Sequence, residues 1–330
     1  MRRIAVLGAG AWVTALANLA ARAGAAVMLW GREPAHVEEM AATGVNARRL
    51  PGIPLMAGVT PTGELAAVET AEIVLLAVPA QAVRQAAERA RDHLAPGIPV
   101  IVCAKGIERG TGRYMSEVLA EVLPGYPPAI LSGPSFAEDV ARGMPTAVTL
   151  AAHDAEAARS LAAALSAPWF RLYHSSDVRG VEIGGATKNV LAIACGIAAG
   201  KDFGASAGAA LVARGFAELS RFGMANGARP GTLTGLSGLG DLVLTCGSRQ
   251  SRNFSLGLAL GRGVGIDEAK ASIGTVEGAL TCAILCDLAR RGGIDMPIAQ
   301  AVDAVLTGRA VVDAMIDALL ARPARPDVSA

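Results

Sequence analysis

Two lysines occupy positions from which a side chain could bind a ligand or transfer a proton. Lys105 directly follows the apolar run of residues 100–104. Residues just past the carboxyl ends of strands line the ligand crevice of an open α/β sheet. Lys188 lies among small and apolar residues with helical spacing. Partial burial would lower the pKa of its amine toward the range useful for proton transfer, whereas a lysine on the helix surface would extend its amine into water, and the spacing allows both.

An acidic residue and an anion-binding pattern accompany these lysines. Asp241 follows a glycine-rich turn and could hydrogen-bond a catalytic ammonium, which it would orient. Ser251, Arg252 and Asn253 stand at a predicted helix start, where a guanidinium, an amide and free backbone N–H groups could bind an anion. The alternative is that Ser251 only caps the helix and Arg252 is a surface charge.

Glycine-containing turns follow two of the predicted strands. Gly8 and Gly10 lie where the first strand meets a helix, and a dinucleotide pyrophosphate can rest there on free N–H groups and the positive helix end. The third glycine of the G-x-G-x-x-G fingerprint is replaced by Val13, which we expect to push the helix off the sheet or to weaken cofactor binding. A plain structural turn is the alternative, but the strand before and the helix after favour nucleotide binding. After another strand, Gly133 and Ser135 are small enough for a ligand to touch the backbone.

Arg32 bears on the choice of cofactor. It follows the second predicted strand, where NAD-specific sites usually carry an acidic residue for the ribose 2′-hydroxyl. An arginine there can pair with the 2′-phosphate of NADP, although a solvated loop arginine fits the spacing equally well. Arg49 is a weaker candidate of the same kind. The sequence therefore leaves NAD or NADP open.

Histidine and cysteine give no catalytic or metal-binding pattern. The histidines are His36, His93, His153 and His174. None lies in a glycine-rich loop or shows metal-ligand spacing, so we expect surface or edge positions and a proton carrier other than histidine. Cys282 and Cys286 are four residues apart, which could hold a metal, but buried thiols fit better because no further ligands lie near them in sequence. We predict no metal site and no disulfide framework.

The elements that must position these residues change character halfway along the chain. Residues up to about 176 alternate short apolar runs with helical segments, which predicts a dinucleotide-binding domain over 1–176 with a Rossmann-like doubly wound α/β sheet. Residues 177–330 show helical spacing only, which predicts an all-helical substrate and catalytic domain. The predicted strands are Ile4–Gly8, Ala26–Trp30, Ile73–Val78, Val100–Ala104, Ala129–Ser132, Ala147–Ala151 and one around Trp169–Tyr173.

Composition excludes several classes of protein. The 330 residues carry 30 Lys+Arg against 29 Asp+Glu, a balance that argues against a nucleic-acid binder. With 52% hydrophobic residues the chain is not disordered. The longest apolar candidate, Val190–Gly200, is about half of what a membrane span needs. The basic and apolar start mimics a signal peptide, but it ends in a glycine turn without a cleavage pattern, so we expect a soluble, cytoplasmic protein.

Seven motifs in this order resemble the bacterial NAD(P)-dependent glycerol-3-phosphate dehydrogenase family. Together they extend from the first strand to the second half of the chain. They are Gly8-Ala9-Gly10-Ala11-Trp12, Leu50-Pro51-Gly52-Ile53, Cys103-Ala104-Lys105-Gly106-Ile107-Glu108, Ser132-Gly133-Pro134-Ser135-Phe136-Ala137, Lys188-Asn189-Val190, Gly238-Leu239-Gly240-Asp241-Leu242 and Gln250-Ser251-Arg252-Asn253.

The resemblance implies reduction of dihydroxyacetone phosphate in a cytoplasmic enzyme that supplies phospholipid synthesis, often as a homodimer. It implies Lys188 as the general acid/base. The implied substrate-binding residues are Lys105, Gly133, Ser135, Lys188, Asp241, Ser251, Arg252 and Asn253. The implied cofactor-binding residues are Gly8, Gly10, Ala11, Trp12, Arg32, Lys105, Ala137, Arg252 and Glu277.

The expected chemistry is hydride transfer to the keto carbon while Lys188 protonates the developing alkoxide. Lys105 would add positive charge and Asp241 would hold the catalytic amine. Arg252 and Asn253 would bind the substrate phosphate. Two other functions fit less well: a related dehydrogenase acting on a 2-keto or 3-hydroxy acid, and a nucleotide sensor without catalytic activity.

Overall fold

The computed structural model describes residues 1–323, and residues 324–330 of the expected second domain lie outside the described residues. The strands are β1 (Arg3–Leu7), β2 (Ala26–Trp30), β3 (Val59–Thr62), β4 (Ile73–Leu76), β5 (Val100–Val102), β6 (Pro128–Ser132), β7 (Thr146–Ala152) and β8 (Phe170–Ser175). The helices are α1 (Ala11–Arg22), α2 (Pro34–Thr43), α3 (Val83–Ala90), α4 (Met115–Val122), α5 (Ala137–Ala141), α6 (Ala155–Leu165), α7 (Val178–Gly200), α8 (Gly204–Ala225), α9 (Pro230–Leu233), α10 (Asp241–Cys246), α11 (Arg252–Gly261), α12 (Ile266–Ile273), α13 (Glu277–Arg291), α14 (Pro297–Leu306) and α15 (Val312–Leu320). Short 3₁₀ segments cover Leu65–Thr70, Ala80–Ala82 and Arg91–His93, and a π turn covers Leu236–Gly240.

The eight strands of residues 1–323 form one sheet in the order β3-β2-β1-β4-β5-β6-β7-β8. The seven predicted strands are present, and the predicted α/β class with a helical C-terminal part is confirmed. Neighbouring strands run parallel except β6 and β7, which are antiparallel. A doubly wound sheet is mostly parallel, and this pair is the place where the sheet departs from the parallel arrangement. A continuous apolar run reports burial on both faces, and it is silent about strand direction.

The strand β3 is absent from the sequence-based expectations. β3 lies at the edge of the sheet, pairs only with β2 and contains Pro61. Proline is tolerated on an edge strand because no neighbour needs its missing N–H. The half-buried, polar pattern of β3 thus lacks the signal that marks the central strands.

Helices cover both faces of the sheet. On one face, α1, α5 and α6 pack on the sheet through side chains such as Leu16, Val140 and Ala158. On the other face, α3 and α4 pack through Val83 and Leu119. Each fully buried leucine contributes about 1.5–3 kcal/mol of transfer free energy. Because the sheet is buried on both sides, the turns at its strand ends are firmly anchored.

The chain divides into two compact units. The first unit comprises residues 1–186 and 223–244, and the second comprises residues 187–222 and those from 245 onward. Helix α7 therefore begins in the first unit and ends in the second. The boundary near residue 176 between the dinucleotide-binding domain and the substrate and catalytic domain stays a prediction.

Within the second unit, glycines bring α7 and α11 close together. A Cβ on Gly196 would collide with the backbone of Phe254, and a Cβ on Gly257 would collide with the backbone of Ile193. Helices approach this closely only where small residues face each other. Among the described helices, α7 is long and apolar enough to cross a membrane, but 83% of its most apolar window is buried inside the protein.

Two buried glutamates bind helix N-termini. The Glu182 carboxylate accepts hydrogen bonds from the Ser116 N–H and hydroxyl, both at 2.7 Å, in the first turn of α4. The Glu218 carboxylate accepts from the Ile298 N–H at 2.7 Å and the Ala299 N–H at 3.2 Å, at the start of α14. Burial raises the pKa of each carboxyl to about 7, against the hydrogen bonds that favour the charged form.

We expect Glu182→Gln to weaken the pH dependence of stability. In the unfolded chain a glutamate ionises near pH 4.5, whereas Glu182 in the folded protein ionises near pH 7. The stability that this group contributes is therefore present below pH 4.5 and is lost as the pH rises through 7, by about 3 kcal/mol at most. Glutamine keeps both contacts with Ser116, because its oxygen accepts from the N–H and its amide donates to the hydroxyl.

Urea unfolding at pH 5 and pH 8 measures this effect. The free energy of unfolding should fall less between the two pH values in Glu182→Gln than in the wild type. Glu156→Gln is the control, because Glu156 is exposed and its hydrogen bond to Arg159 lowers its pKa. Equal slopes in Glu182→Gln and the wild type would contradict the expectation.

Candidate active site

The turn between β1 and α1 has the geometry of a pyrophosphate-binding loop. Gly8 has a φ of +127°, a conformation that favours glycine, and its N–H donates to the Trp30 carbonyl at 2.9 Å. Gly10 is the N-cap of α1 and contributes no side chain. The first N–H groups of a helix have no acceptor within the helix, so they can bind an anion. This loop therefore fits the phosphates of a dinucleotide.

Val13 packs in the core beside this loop. Its side chain is buried, and its Cγ2 would lie 2.9 Å from a Cβ on Gly8. The valine fits here because Gly8 has no side chain. The expectation that Val13 displaces the helix or weakens cofactor binding stays a prediction.

Lys105 forms an ion pair with Asp241. Its Nζ lies 2.6 Å from Asp241 Oδ2 and donates to the Gly133 carbonyl at 2.9 Å. Lys105 follows β5, Gly133 follows β6, and Asp241 begins α10 directly after the π turn. The Asp241 side chain is fully buried and that of Lys105 is 16% exposed. Such π turns often occur at functional sites.

Glycine and serine complete this turn after β6. Gly133 has a φ of +150°, and a Cβ there would lie 2.8 Å from Val148 Cα. The Ser135 hydroxyl donates to the Gly133 carbonyl at 3.0 Å, so this carbonyl also accepts from Ser135. Ala137 is half-buried at the start of α5, four residues along the same loop.

Lys188 is buried in the second unit. Only 7% of the residue is exposed, and its Nζ donates to the Thr245 hydroxyl at 2.7 Å. The alternative of a lysine that extends its amine into water from the helix surface does not agree with this burial. Thr245 fixes the direction of one N–H bond of the amine.

The predicted anion-binding residues at the start of α11 divide into different roles. Ser251 is the N-cap, and its hydroxyl accepts from the Phe254 N–H at 3.2 Å. Arg252 is exposed at the first position of the helix. The Asn253 amide lies between Asn189 and the backbone of α13, whereas the sequence predicted that it binds a phosphate.

The contacts of Asn253 connect three helices of the second unit. Its Nδ2 donates to Asn189 Oδ1 at 2.9 Å, and its Oδ1 accepts from the Gly278 N–H at 2.9 Å. Gly278 has no room for a Cβ, which would lie 2.6 Å from the Asn189 carbonyl. Glu277, the preceding residue, is half-buried at the start of α13. Asn189 and Thr245 are not among the site residues predicted from the sequence, and nothing in their spacing reveals these contacts.

Charged residues surround the end of β2. Arg32 is exposed, and the neighbouring Glu33 accepts from Arg48 at 2.7 Å. This hydrogen bond lowers the pKa of Glu33, and the positive charge of Arg49 adds a smaller effect in the same direction. Arg32 and Arg49 thus stand at the strand end where a ribose is expected.

His36 corrects one expectation. The sequence predicts a surface or edge position for it, but it is 5% exposed and its Nε2 lies 2.9 Å from Asn46 Oδ1. His93 is near the surface as predicted, beside Glu69 at 3.1 Å. The cysteines are all buried, and burial raises the pKa of Cys103 to about 12, so its thiol stays protonated near neutral pH.

The fold and the nucleotide loop define a dinucleotide-dependent oxidoreductase with a helical second part. Family models described as the N-terminus and the C-terminus of NAD-dependent glycerol-3-phosphate dehydrogenase match residues 3–158 and 177–317. The chain belongs to this family and is an NAD(P)-dependent oxidoreductase.

Individual relatives agree over almost the whole chain. A glycerol-3-phosphate dehydrogenase [NAD(P)+] from Beijerinckia indica is 65% identical over 99% of this chain and 98% of its own length. The one from Azorhizobium caulinodans is 61% identical over 98% of both chains. The crystal structure of glycerol-3-phosphate dehydrogenase from Coxiella burnetii has a TM-score of 0.93 at 40% identity, covering 97% of this chain and 99% of that one. A ketopantoate reductase from Ralstonia eutropha, at 21% identity and a TM-score of 0.60 with 95% and 99% coverage, shares the fold alone.

We expect Gly184→Ala to disturb the Lys105–Asp241 pair. Gly184 of α7 touches the backbone of Ser237 and Gly238 in the π turn, and a Cβ there would collide with it. Overpacking against backbone costs about 1–3 kcal/mol and must shift the turn that leads into Asp241. Turnover and the midpoint of thermal unfolding should both fall.

Gly208→Ala in α8 is the matched control, because no atom lies within 4 Å of a Cβ at that position. It should leave turnover unchanged and stabilise the helix by about 0.5–1 kcal/mol. If Gly184→Ala matched Gly208→Ala in both measurements, the tight contact at the π turn would have no effect on Asp241.

Proposed function

We propose that this protein catalyses the reversible NAD(P)-dependent reduction of dihydroxyacetone phosphate to sn-glycerol 3-phosphate, which supplies glycerophospholipid synthesis. Membership of the glycerol-3-phosphate dehydrogenase family over nearly the whole chain carries this proposal. The buried Lys188 supports it, because ketone reduction needs a proton donor and an ammonium group can supply the proton.

Lys188 acts as the general acid in this proposal. When bound, the reduced nicotinamide supplies the hydride that adds to the keto carbon. The carbonyl oxygen then carries a developing negative charge, and the Lys188 ammonium gives it a proton and becomes a neutral amine. Thr245 accepts one N–H of the ammonium and so restricts the directions of the others. In the reverse direction the neutral amine removes the proton from the alcohol.

Lys105 binds the substrate as a cation of fixed position. Asp241 and the Gly133 carbonyl each accept from its Nζ, which holds the ammonium in one place before substrate arrives. A positive charge that does not have to reorganise stabilises developing negative charge more effectively than a mobile one. Asp241 therefore orients Lys105 in this proposal, and the turn at Gly133 and Ser135 provides the backbone surface beside it.

Arg252 binds the substrate phosphate in this proposal. It is exposed at the start of α11, where backbone N–H groups also favour an anion. Ser251 and Asn253 keep the helix start in shape, because one caps α11 and the other connects it to Asn189 and α13. Gly8, Gly10, Ala11, Trp12, Arg32, Ala137 and Glu277 bind the cofactor in this proposal.

The cytoplasmic location and the homodimer are part of the same proposal. Both are taken from the family resemblance. The substrate is a small molecule, and neither nucleic acid nor a membrane span is part of the proposed function.

We expect Lys188→Met to abolish most turnover while the cofactor still binds. Methionine keeps the length and the packing of the side chain but cannot donate a proton, so kcat should fall by about 10²–10⁴-fold. The measurement is NADH oxidation with dihydroxyacetone phosphate, with NADH binding followed by fluorescence. Lys270→Met, at an exposed position in α12, is the control and should be fully active. Near wild-type turnover in Lys188→Met would contradict the assignment.

We expect Arg32→Ala to lower activity with NADPH selectively. If Arg32 pairs with the 2′-phosphate, its loss removes a charge-assisted hydrogen bond and lowers kcat/KM for NADPH by about tenfold. Activity with NADH should change little. Parallel rates with both cofactors measure the ratio, and an unchanged ratio would mean that Arg32 is a solvated loop residue. The same assay with unphosphorylated ketones tests the substrate, since a phosphate-binding site predicts little activity on them.

A further inference from the structure

We infer that Asn46 is a positioning residue that fixes the pyrophosphate-binding loop. This inference rests on the proposed role of Gly8, Gly10 and Ala11 in cofactor binding. Asn46 is completely buried, and its side chain contacts the loop directly. Its Nδ2 donates to the Ala9 carbonyl at 3.1 Å and to the Thr14 hydroxyl at 2.8 Å.

The directions of these hydrogen bonds follow from the Ala9 carbonyl. A carbonyl oxygen only accepts, so the amide nitrogen of Asn46 must face Ala9 and its Oδ1 must face His36. His36 Nε2, 2.9 Å from this oxygen, must therefore carry a hydrogen. Thr14 accepts from Asn46 and donates through its hydroxyl to the Gly10 carbonyl at 3.0 Å. Both polar atoms of the Asn46 side chain and the Thr14 hydroxyl thus form hydrogen bonds.

This network sets the orientation of two peptide groups in the loop. In a planar trans peptide the C=O and the following N–H point in opposite directions. Holding the Ala9 carbonyl on Asn46 directs the Gly10 N–H away from this buried side chain. The Gly10 carbonyl accepts from both the N–H of Thr14, at 3.1 Å, and its hydroxyl, at 3.0 Å, which directs the Ala11 N–H in the opposite direction. These two N–H groups belong to the set without an acceptor in α1, and they are the ones an anion would bind.

The same residue also anchors the loop to the segment after α2. The Asn46 carbonyl accepts from the Arg49 N–H at 3.2 Å and from the Leu50 N–H at 2.8 Å. His36 belongs to α2, which begins two residues after Arg32. Asn46 therefore connects the loop at the end of β1 with the elements that follow β2, all within the first unit.

The experiment compares Asn46→Leu with Asn18→Leu. Asn18 is the matched control because it is equally buried, lies on α1 and uses its amide in the same way. It donates to the Pro54 carbonyl at 2.9 Å and accepts from the Met56 N–H at 3.0 Å, without a contact to the loop. Leucine has nearly the same shape as asparagine in both variants, so both should lower thermal stability.

Only Asn46→Leu should weaken binding through the pyrophosphate. We expect the Kd for NADH and the inhibition constant of ADP-ribose, which carries the pyrophosphate without nicotinamide, to rise by about tenfold, because buried hydrogen bonds that fix the loop are lost. kcat at saturating NADH and KM for dihydroxyacetone phosphate should change little. Asn18→Leu should leave both constants for the nucleotides at wild-type values.

Substitutions of the two neighbours provide a second test if Asn46→Leu does not fold. Thr14→Val keeps the shape of threonine and the N–H that donates to the Gly10 carbonyl at 3.1 Å, but it loses the hydroxyl that joins this carbonyl to Asn46. It should therefore raise the Kd for NADH less than Asn46→Leu. His36→Gln keeps a donor for Asn46 and should restore the binding that His36→Leu loses.

Equal NADH Kd values in Asn46→Leu and Asn18→Leu, or in Thr14→Val and the wild type when Asn46→Leu is unfolded, would overturn the inference. A wild-type protein that does not bind NADH would instead overturn the proposed function and this role with it.

Discussion

Lys105 and Lys188 each carry an amine that is largely removed from water, and the structure around both residues depends on this constraint. An isolated buried charge costs several kcal/mol, so it persists only where polar groups replace the lost water. Lys105 obtains a carboxylate and a backbone carbonyl, and Lys188 obtains a threonine hydroxyl. These partners must be delivered by separate elements at distances below 3 Å. Much of the local structure near these lysines serves to place these hydrogen-bond partners.

Glycine provides the required closeness at both lysines. Gly133 brings the turn after β6 against β7 and leaves its carbonyl for Lys105. Gly184 lets α7 touch the π turn that ends at Asp241. In the second unit, Gly278 lets α13 approach Asn189, the neighbour of Lys188. A glycine within a helix costs about 0.5–1 kcal/mol relative to alanine, so these positions exchange local helix stability for tight packing.

The sequence predicted what burial and chain order determine. The central strands are apolar on both faces, and Gly8, Lys105 and Gly133 follow strand ends, so these positions were predictable. The direction of β7 and the existence of the edge strand β3 were not predictable, because an apolar pattern does not depend on strand direction and β3 is only half-buried. The hydrogen bond between Lys105 and Asp241 was also not predictable from the sequence. A contact between residues 136 positions apart depends on how the elements pack, which no local spacing encodes.

His36 and Asn46 show why a polar residue can be misjudged from its neighbours. His36 lies among charged and exposed residues of α2, which favours a surface position, yet its ring is directed at a buried amide. A buried amide needs partners for its oxygen and both N–H bonds, and the loop carbonyl, Thr14 and His36 satisfy all three. The side chain of Val13 packs in the core beside Gly8, while Ala9 and Gly10 are held by hydrogen bonds that do not involve residue 13. The orientation of the N–H groups at the helix start therefore depends on Asn46 and Thr14 rather than on the glycine that the fingerprint would place there.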